Sequence, residues 1–319
     1  MEREACRTQR LFPRAGLAGR LMLLAALAAA AWAQSASFEA PVLGYAFDAA
    51  AGSIRPILGV PGAARFEAPF RSEGALRQAA LAPWRDYALA EMDGELRIVR
   101  WDGGAISSHP LDGAPAEPGR IAFSPSGASV ALDAAGRIEV LSGMPERAVL
   151  TRRIEHPGPV DALAVTDDGR TAAVASAGTV VLYSPGGAKA IAEGGRISSL
   201  AFALAGSDLA IADEERNEVL LAGAGVVSRD FEKPSSVSFS ADGGKLIVAS
   251  AARSAVALID LASREVSTAS CDCRVETLNR ARGNAVFKLS DSAKGHAPLF
   301  DGDGAEPRIV FVAAGEEWK

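Results

Sequence analysis

A pattern of about forty residues returns along most of this chain and limits what it can fold into more than any single motif does. Clear copies read IAFSPSGASVALDAAGRIEVLSG from Ile121, LAVTDDGRTAAVASAGTVVLYSPGG from Leu163, LAFALAGSDLAIADEERNEVLLAG from Leu200 and VSFSADGGKLIVASAARSAVALIDLAS from Val237. Their turn glycines are Gly127, Gly169, Gly206, Gly243 and, in a weaker copy, Gly283, spaced 42, 37, 37 and 40 residues apart. A further copy without the glycine, LAPWRDYALAEMDGELRIVRWDGG, starts at Leu81.

Each copy reads as strand, turn, strand, turn, strand. An apolar triplet such as Ile121-Ala122-Phe123 leads into Ser124-Pro125-Ser126-Gly127, where glycine supplies the positive φ of a tight turn. The return strand is short and apolar, and the third alternates, with Arg137 and Glu139 on one face and Ile138 and Val140 on the other. Third strands end at Phe47-Asp48, Trp101-Asp102, Leu141-Ser142, Tyr183-Ser184, Leu221-Ala222, Ile259-Asp260 and Phe300-Asp301. A fourth strand follows each, as in 53–58 and 308–312. Sheets with two apolar faces need covering on both, and closing them into a ring does so while leaving only short edges. The expected fold class is therefore all-β: a β-propeller, seven blades of about four strands. The first unit is the weak point, because Gln34 to Val42 leaves little room for two more strands. Either the first blade is incomplete or the two termini share one; six blades plus a flanking hairpin is the alternative.

These units resemble the bacterial repeats of the YVTN and WD-repeat type, with a consensus like "AFSPDG…LAVA…DG.V.LYD". The resemblance covers most of the chain and implies propeller blades around a channel. Only Trp101-Asp102 is a literal Trp-Asp pair, and the His-containing element of eukaryotic WD repeats is absent, so an exported bacterial relative fits better.

The first 33 residues stand outside the repeat. Arg3, Arg7, Arg10, Arg14 and Arg20 precede an apolar run from Leu21 to Trp32, which ends in Ala31-Trp32-Ala33. A basic region, a short apolar core and small residues flanking a cleavage point predict a signal peptide over 1–33 and a single propeller domain over 34–319, exported to the periplasm or the exterior. Twelve apolar residues fall short of the roughly 20 that span a bilayer, so no membrane span is expected after cleavage. Without the leader, 28 basic and 37 acidic residues leave a net charge of −9, which argues against nucleic acid as a partner. The basic group Arg274, Arg280 and Arg282 is too short to change that.

Motifs for chemistry are sparse. There is no G-x-S-x-G elbow, phosphate loop or zinc-type spacing, so no catalytic, cofactor-binding or metal residue is assigned and no cofactor is expected. His109, His156 and His296 read as surface histidines. Asp301-Gly302-Asp303-Gly304 has the look of a calcium loop, but Ala305 offers no side-chain oxygen at the fifth place. The charged run from Asp213 to Glu218 reads as a solvated turn, with a docking patch as the alternative. Cys271 and Cys273 can form a disulfide across a turn, or remain two free thiols.

A strong scaffold without a chemical motif predicts a non-enzymatic binding or scaffold propeller of the bacterial envelope or exterior, recognising a protein or small ligand through loops at one end. A closed ring needs no second copy, so a monomer is expected. One alternative is a hydrolase resembling the YVTN-like lactonases, which place polar residues at a channel mouth; several His, Arg or Asp side chains meeting there would mark it. A minor redox role for Cys271 and Cys273 is the other.

Overall fold

The computed structural model describes residues 40–314, apart from 116, 205 and 291–295, so the predicted signal peptide lies outside the described residues. The described residues form twenty-seven strands and no helix. These make seven antiparallel sheets, six of four strands and one of three. Numbered along the chain, blade 1 covers 42–66, blade 2 covers 78–110, blade 3 covers 121–155, blade 4 covers 162–193, blade 5 covers 197–228, blade 6 covers 234–270 and blade 7 covers 279–312.

Seven apolar clusters hold the sheets together, and each is filled from two neighbouring blades. Blades 3 and 4 meet through Val140, Ile154, Val165 and Val174, for example. The closing cluster packs Leu43, Ile57 and Phe66 of blade 1 against Val286, Leu299 and Val312 of blade 7. Burial of one such Val, Leu, Ile or Phe side chain is worth about 1.5–3 kcal/mol, so the ring is held by its blade faces. Second strands such as Ala172–Ser176 carry small residues on both faces, as two close-packed neighbours require.

Polar groups stitch the blades at the end of the channel where inner strands turn back. Tyr87 donates its hydroxyl to the carbonyl of Gly127 in the next blade at 2.7 Å, and Asp167 accepts the amide and hydroxyl of Ser126 at 2.8 and 2.6 Å. Gly127 has φ +69°, and a Cβ there would stand 2.8 Å from the Pro83 carbonyl of blade 2, so the repeat's glycine answers both to the turn and to the neighbouring blade.

Blade 1 departs from the expected unit. Phe47-Asp48 does not end a third strand: Val42–Asp48 and Ser53–Leu58 are the first two strands of the three-stranded sheet. The misreading has a physical origin. Asp48 accepts the amides of Ala50 and Ala51 at 2.9 and 3.1 Å, just as Asp260, at a genuine third-strand end, accepts those of Ala262 and Ser263 at 3.0 and 2.8 Å. The same turn chemistry serves two places in a blade.

The direction of Val42–Asp48 is also unusual. Its start lies beside the residues that follow the inner strand of blade 7, with the Arg282 amide bonded to the Leu43 carbonyl at 2.8 Å. Its end leads to Gly52, whose carbonyl accepts the amide of Leu76, just before the inner strand of blade 2, at 2.8 Å. Val42–Asp48 therefore runs opposite to the inner strands on either side of it. The first and last blades also join at this edge: Ala313, past the last strand of blade 7, forms a parallel bridge with Arg65 through bonds of 3.1 Å on each side.

Candidate functional site

Seven inner strands surround a central channel that holds a cavity of about 440 Å³. Small residues recur along its wall, both alanines such as Ala79, Ala122, Ala164, Ala201 and Ala281 and serines such as Ser199 and Ser236. Polar chemistry gathers at one end, where the inner strands of blades 2 and 7 turn back on either side of blade 1.

Register explains why Arg280 stands out. It pairs with Phe287 at the ladder position occupied in other blades by Leu81, Phe123, Val165, Phe202 and Phe239. Those five apolar side chains pack against the preceding blade. In blade 7 the wedge is a cation. Its guanidinium lies 4.8 Å from the centre of the Phe287 ring and donates to the Phe239 carbonyl, to Asn284 O at 3.3 Å and to Ser238 Oγ at 3.5 Å. Burial pulls its pKa down to about 10, with Asp303 opposing the shift, so it remains charged at neutral pH. Among the described residues no carboxylate comes within 4 Å of it.

Trp84 covers Arg280 from the other side, its ring centre 5.4 Å from the guanidinium carbon. It belongs to the turn of blade 2 that lacks the repeat's glycine and has φ +61°, a left-handed conformation that a bulky side chain rarely takes. At 37 % exposure it is also among the few large apolar side chains left open to solvent. Trp84 thus presents a partly open indole at this end of the channel.

Next to this pair, Arg282 and Asp86 approach to 3.8 Å. Tyr45 sits beside them, its ring meeting Trp101 edge-on at 4.7 Å. Burial pushes the Tyr45 hydroxyl up to about 12; Trp101 and Arg282 oppose the shift and Asp86 adds to it. Tyr45 is therefore a neutral hydrogen-bonding group at physiological pH, not a base. Arg85 also borders the cavity, but its guanidinium turns to Ser126 O at 3.0 Å and Met144 O at 3.1 Å in blade 3. Lys288, almost fully buried on the second strand of blade 7, also borders the cavity.

The residues singled out in the sequence lie elsewhere, except for Arg280 and Arg282. His109 is on the outer strand of blade 2, His156 follows blade 3 and His296 precedes Ala297–Asp301 of blade 7; none lines the channel cavity. Asp301 holds Arg308 at 2.9 Å, and Asp303 accepts the amides of Asn284 and Ala285 at 2.9 and 2.6 Å, so both carboxylates are turned to protein donors. In the run from Asp213 to Glu218, Asp213 is buried and accepts the Gly195 amide at 2.7 Å, Glu214 engages Arg196 and Glu218 engages Arg229. Those contacts leave little unpaired charge for docking. Cys271 and Cys273 face each other in the connection from blade 6 to blade 7, with Cα atoms 5.1 Å apart, inside the range a disulfide needs. Their part-buried side chains pack on the cluster between those blades, away from the channel.

Sequence reasoning named Arg280 and Arg282 only as a short basic group and passed over Trp84. A signal was available. LAPWRD replaces the glycine turn, and Arg280 replaces an apolar wedge, so departures from the repeat mark the site.

Neither a family model nor a curated protein matches the chain. Solved structures do. A functionally unknown protein from Desulfotomaculum acetoxidans DSM 771 aligns over 86 % of this chain and all of its own, with a TM-score of 0.60 and 10 % identity. A chain from a nidogen/laminin complex aligns over 74 % of this chain and 96 % of its own, with a TM-score of 0.49 and 16 % identity. At such identities the likeness is one of fold: the chain is a seven-bladed β-propeller with sheets of about four strands.

Proposed function

We propose that this protein is an exported, non-catalytic binding propeller that takes its ligand at the end of the channel where Tyr45, Trp84, Asp86, Arg280 and Arg282 meet. The observation that carries this reading is their convergence from three blades onto one concave site. Rigid sheets hold every contributing turn, which suits recognition. Export rests on the 1–33 leader, and N-terminal sequencing of protein from the envelope and culture fluid tests it: a mature start near Gln34 supports cleavage, and a chain still beginning at Met1 refutes it.

Native mass spectrometry after incubation with extract from the producing cells tests the site. A bound small molecule that is retained by the natural protein and lost from a Trp84→Ala/Arg282→Ala double variant is the expected result. A ligand retained equally by the variant would move recognition to another surface.

A second reading has an observation in its favour. Arg and Asp side chains do meet at one channel mouth, the arrangement that would mark a lactonase-like hydrolase. Turnover of simple lactones or esters that is lost on Asp86→Asn would establish it over the binding reading. The cysteine pair, read as a stabilising disulfide, is tested by mass before and after alkylation without reductant.

A further inference from the structure

We propose that the ligand of this channel end is a small organic carboxylate with a flat apolar body, its carboxylate held at Arg280 and its body against Trp84. This deepens the binding reading above and depends on it for the location of the site.

The charge of the lining sets the sign of the ligand. The protein carries a formal net charge of −6, yet among the described residues the cavity is bordered by the guanidinium groups of Arg85, Arg280 and Arg282 and by one carboxylate, that of Asp86. Arg85 and Arg282 have carboxylates at 3.9 and 3.8 Å, in Glu146 and Asp86. Arg280 has none that close among the described residues, and its protein acceptors are two backbone carbonyls and a serine hydroxyl. A guanidinium has five donors, so these three partners leave part of its fork unused. A desolvated cation without a paired anion is costly, and a ligand carboxylate would offset that cost through short charge-assisted bonds.

Geometry sets the rest. A cavity of about 440 Å³ accommodates a small molecule and not a folded chain. The wall beyond the charged end carries alanine, leucine and valine side chains among serines such as Ser199 and Ser236, and the apolar ones offer contact to an apolar body. Trp84 stands at the mouth, ring over Arg280, and is held there by a left-handed backbone that glycine would adopt without strain. The strained conformation aims an aromatic face across the opening, and a planar body can stack on it.

Three probes of one shape and different charge test this: benzoate, benzamide and benzamidine, titrated into the full mature chain in low-chloride buffer. Tryptophan fluorescence and isothermal calorimetry are the readouts, with inorganic phosphate as a fourth arm. The expected result is saturable binding of benzoate, at least about tenfold tighter than benzamide, with none for benzamidine. Arg280→Gln should weaken benzoate by about tenfold or more, and Arg280→Lys by less. Since Arg280 also bonds to blade 6, Trp84→Ala provides an exposed second variant; it should lose affinity with an unchanged circular dichroism spectrum. Equal binding of benzoate and benzamide, preference for benzamidine, binding of phosphate alone, or no binding of any probe would each overturn the proposal. A neutral or cationic molecule found at this end by native mass spectrometry would keep the binding site and reject the carboxylate. A ligand insensitive to Trp84 and Arg282 would reject the site itself.

Discussion

Blades 3 to 6 and blade 1 are built from similar strands but solve different problems. The four regular blades repeat one solution: small residues on the second strand, an apolar wedge against the blade before, and side chains of one turn bonded to the next. Blade 1 has three strands, its innermost strand runs against its neighbours, and its outer edge is met by Ala313, just past the last strand of blade 7, at one bridge among the described residues. The charged and aromatic side chains of the channel end come from blade 1 and from the blades flanking it. Repetition supplies rigidity, and the place where repetition fails supplies chemistry.

The two regions can be set against each other by substitution. The largest effect is expected at the ion pair of blade 1, where Arg55 Nε donates to Asp48 at 2.7 Å and the side chains are only 8 % and 3 % exposed. Removing one partner leaves a buried charge, so Asp48→Ala should cost about 3–5 kcal/mol in urea unfolding. Asp301→Ala in blade 7 frees an Arg308 that is 60 % exposed and should cost about 1 kcal/mol or less. Similar losses at both sites would mean that blade 1 is held no differently from the rest.

Turn conformation gives the next contrast. Gly127→Ala should cost about 1–2 kcal/mol, because the position is left-handed and crowded by Pro83. Trp84→Gly should leave the melting temperature nearly unchanged, since relief of a left-handed tryptophan, about 1–2 kcal/mol, offsets the loss of a cation–π contact to the desolvated Arg280, about 2 kcal/mol. A marked drop in melting temperature would make Trp84 a structural residue.

Acid should sharpen the comparison further. Burial alone would raise the Asp48 pKa, but hydrogen bonds from Arg55 and the Ala51 and Ala50 amides outweigh it and hold the carboxyl below the ordinary aspartate range. Asp168 is lowered by the Thr166 hydroxyl and Asp242 by the Ser240 hydroxyl. A depressed folded-state pKa gives stability that is present above the unfolded value, near about 3.9, and lost as pH falls through the folded one. Stability measured by urea midpoint should therefore fall below about pH 4, and Asp48→Asn should fall less steeply than the natural protein. The smallest effect is expected for Arg282→Ala: its pair with Asp86 is half exposed on both sides, so stability should change by about 0–1 kcal/mol while ligand binding suffers.

The repeat was legible because its period, turn glycines and alternating third strands are local signals. Seven blades followed from them, although one of the seven strand ends used, Phe47-Asp48, belonged to a different strand from the other six. Strand direction was hidden, since an apolar strand reads alike in either sense and only the Leu43 and Gly52 contacts reveal it. The candidate site was hidden for another reason. Trp84 and Arg280 are 196 positions apart, and their meeting depends on the ring closing. What the sequence did display was their oddity within an otherwise regular pattern.

The bridge between Arg65 and Ala313 then acquires a meaning beyond architecture. A guest that touches both the indole of blade 2 and the guanidinium of blade 7 would span the join from within, clasping blades 2 and 7 like a rivet. Because such a guest favours only the shut ring, heat and denaturant resistance should climb with its concentration. Amide protons around the join should be the first to slow their exchange, well before those of blades 3 to 6 respond.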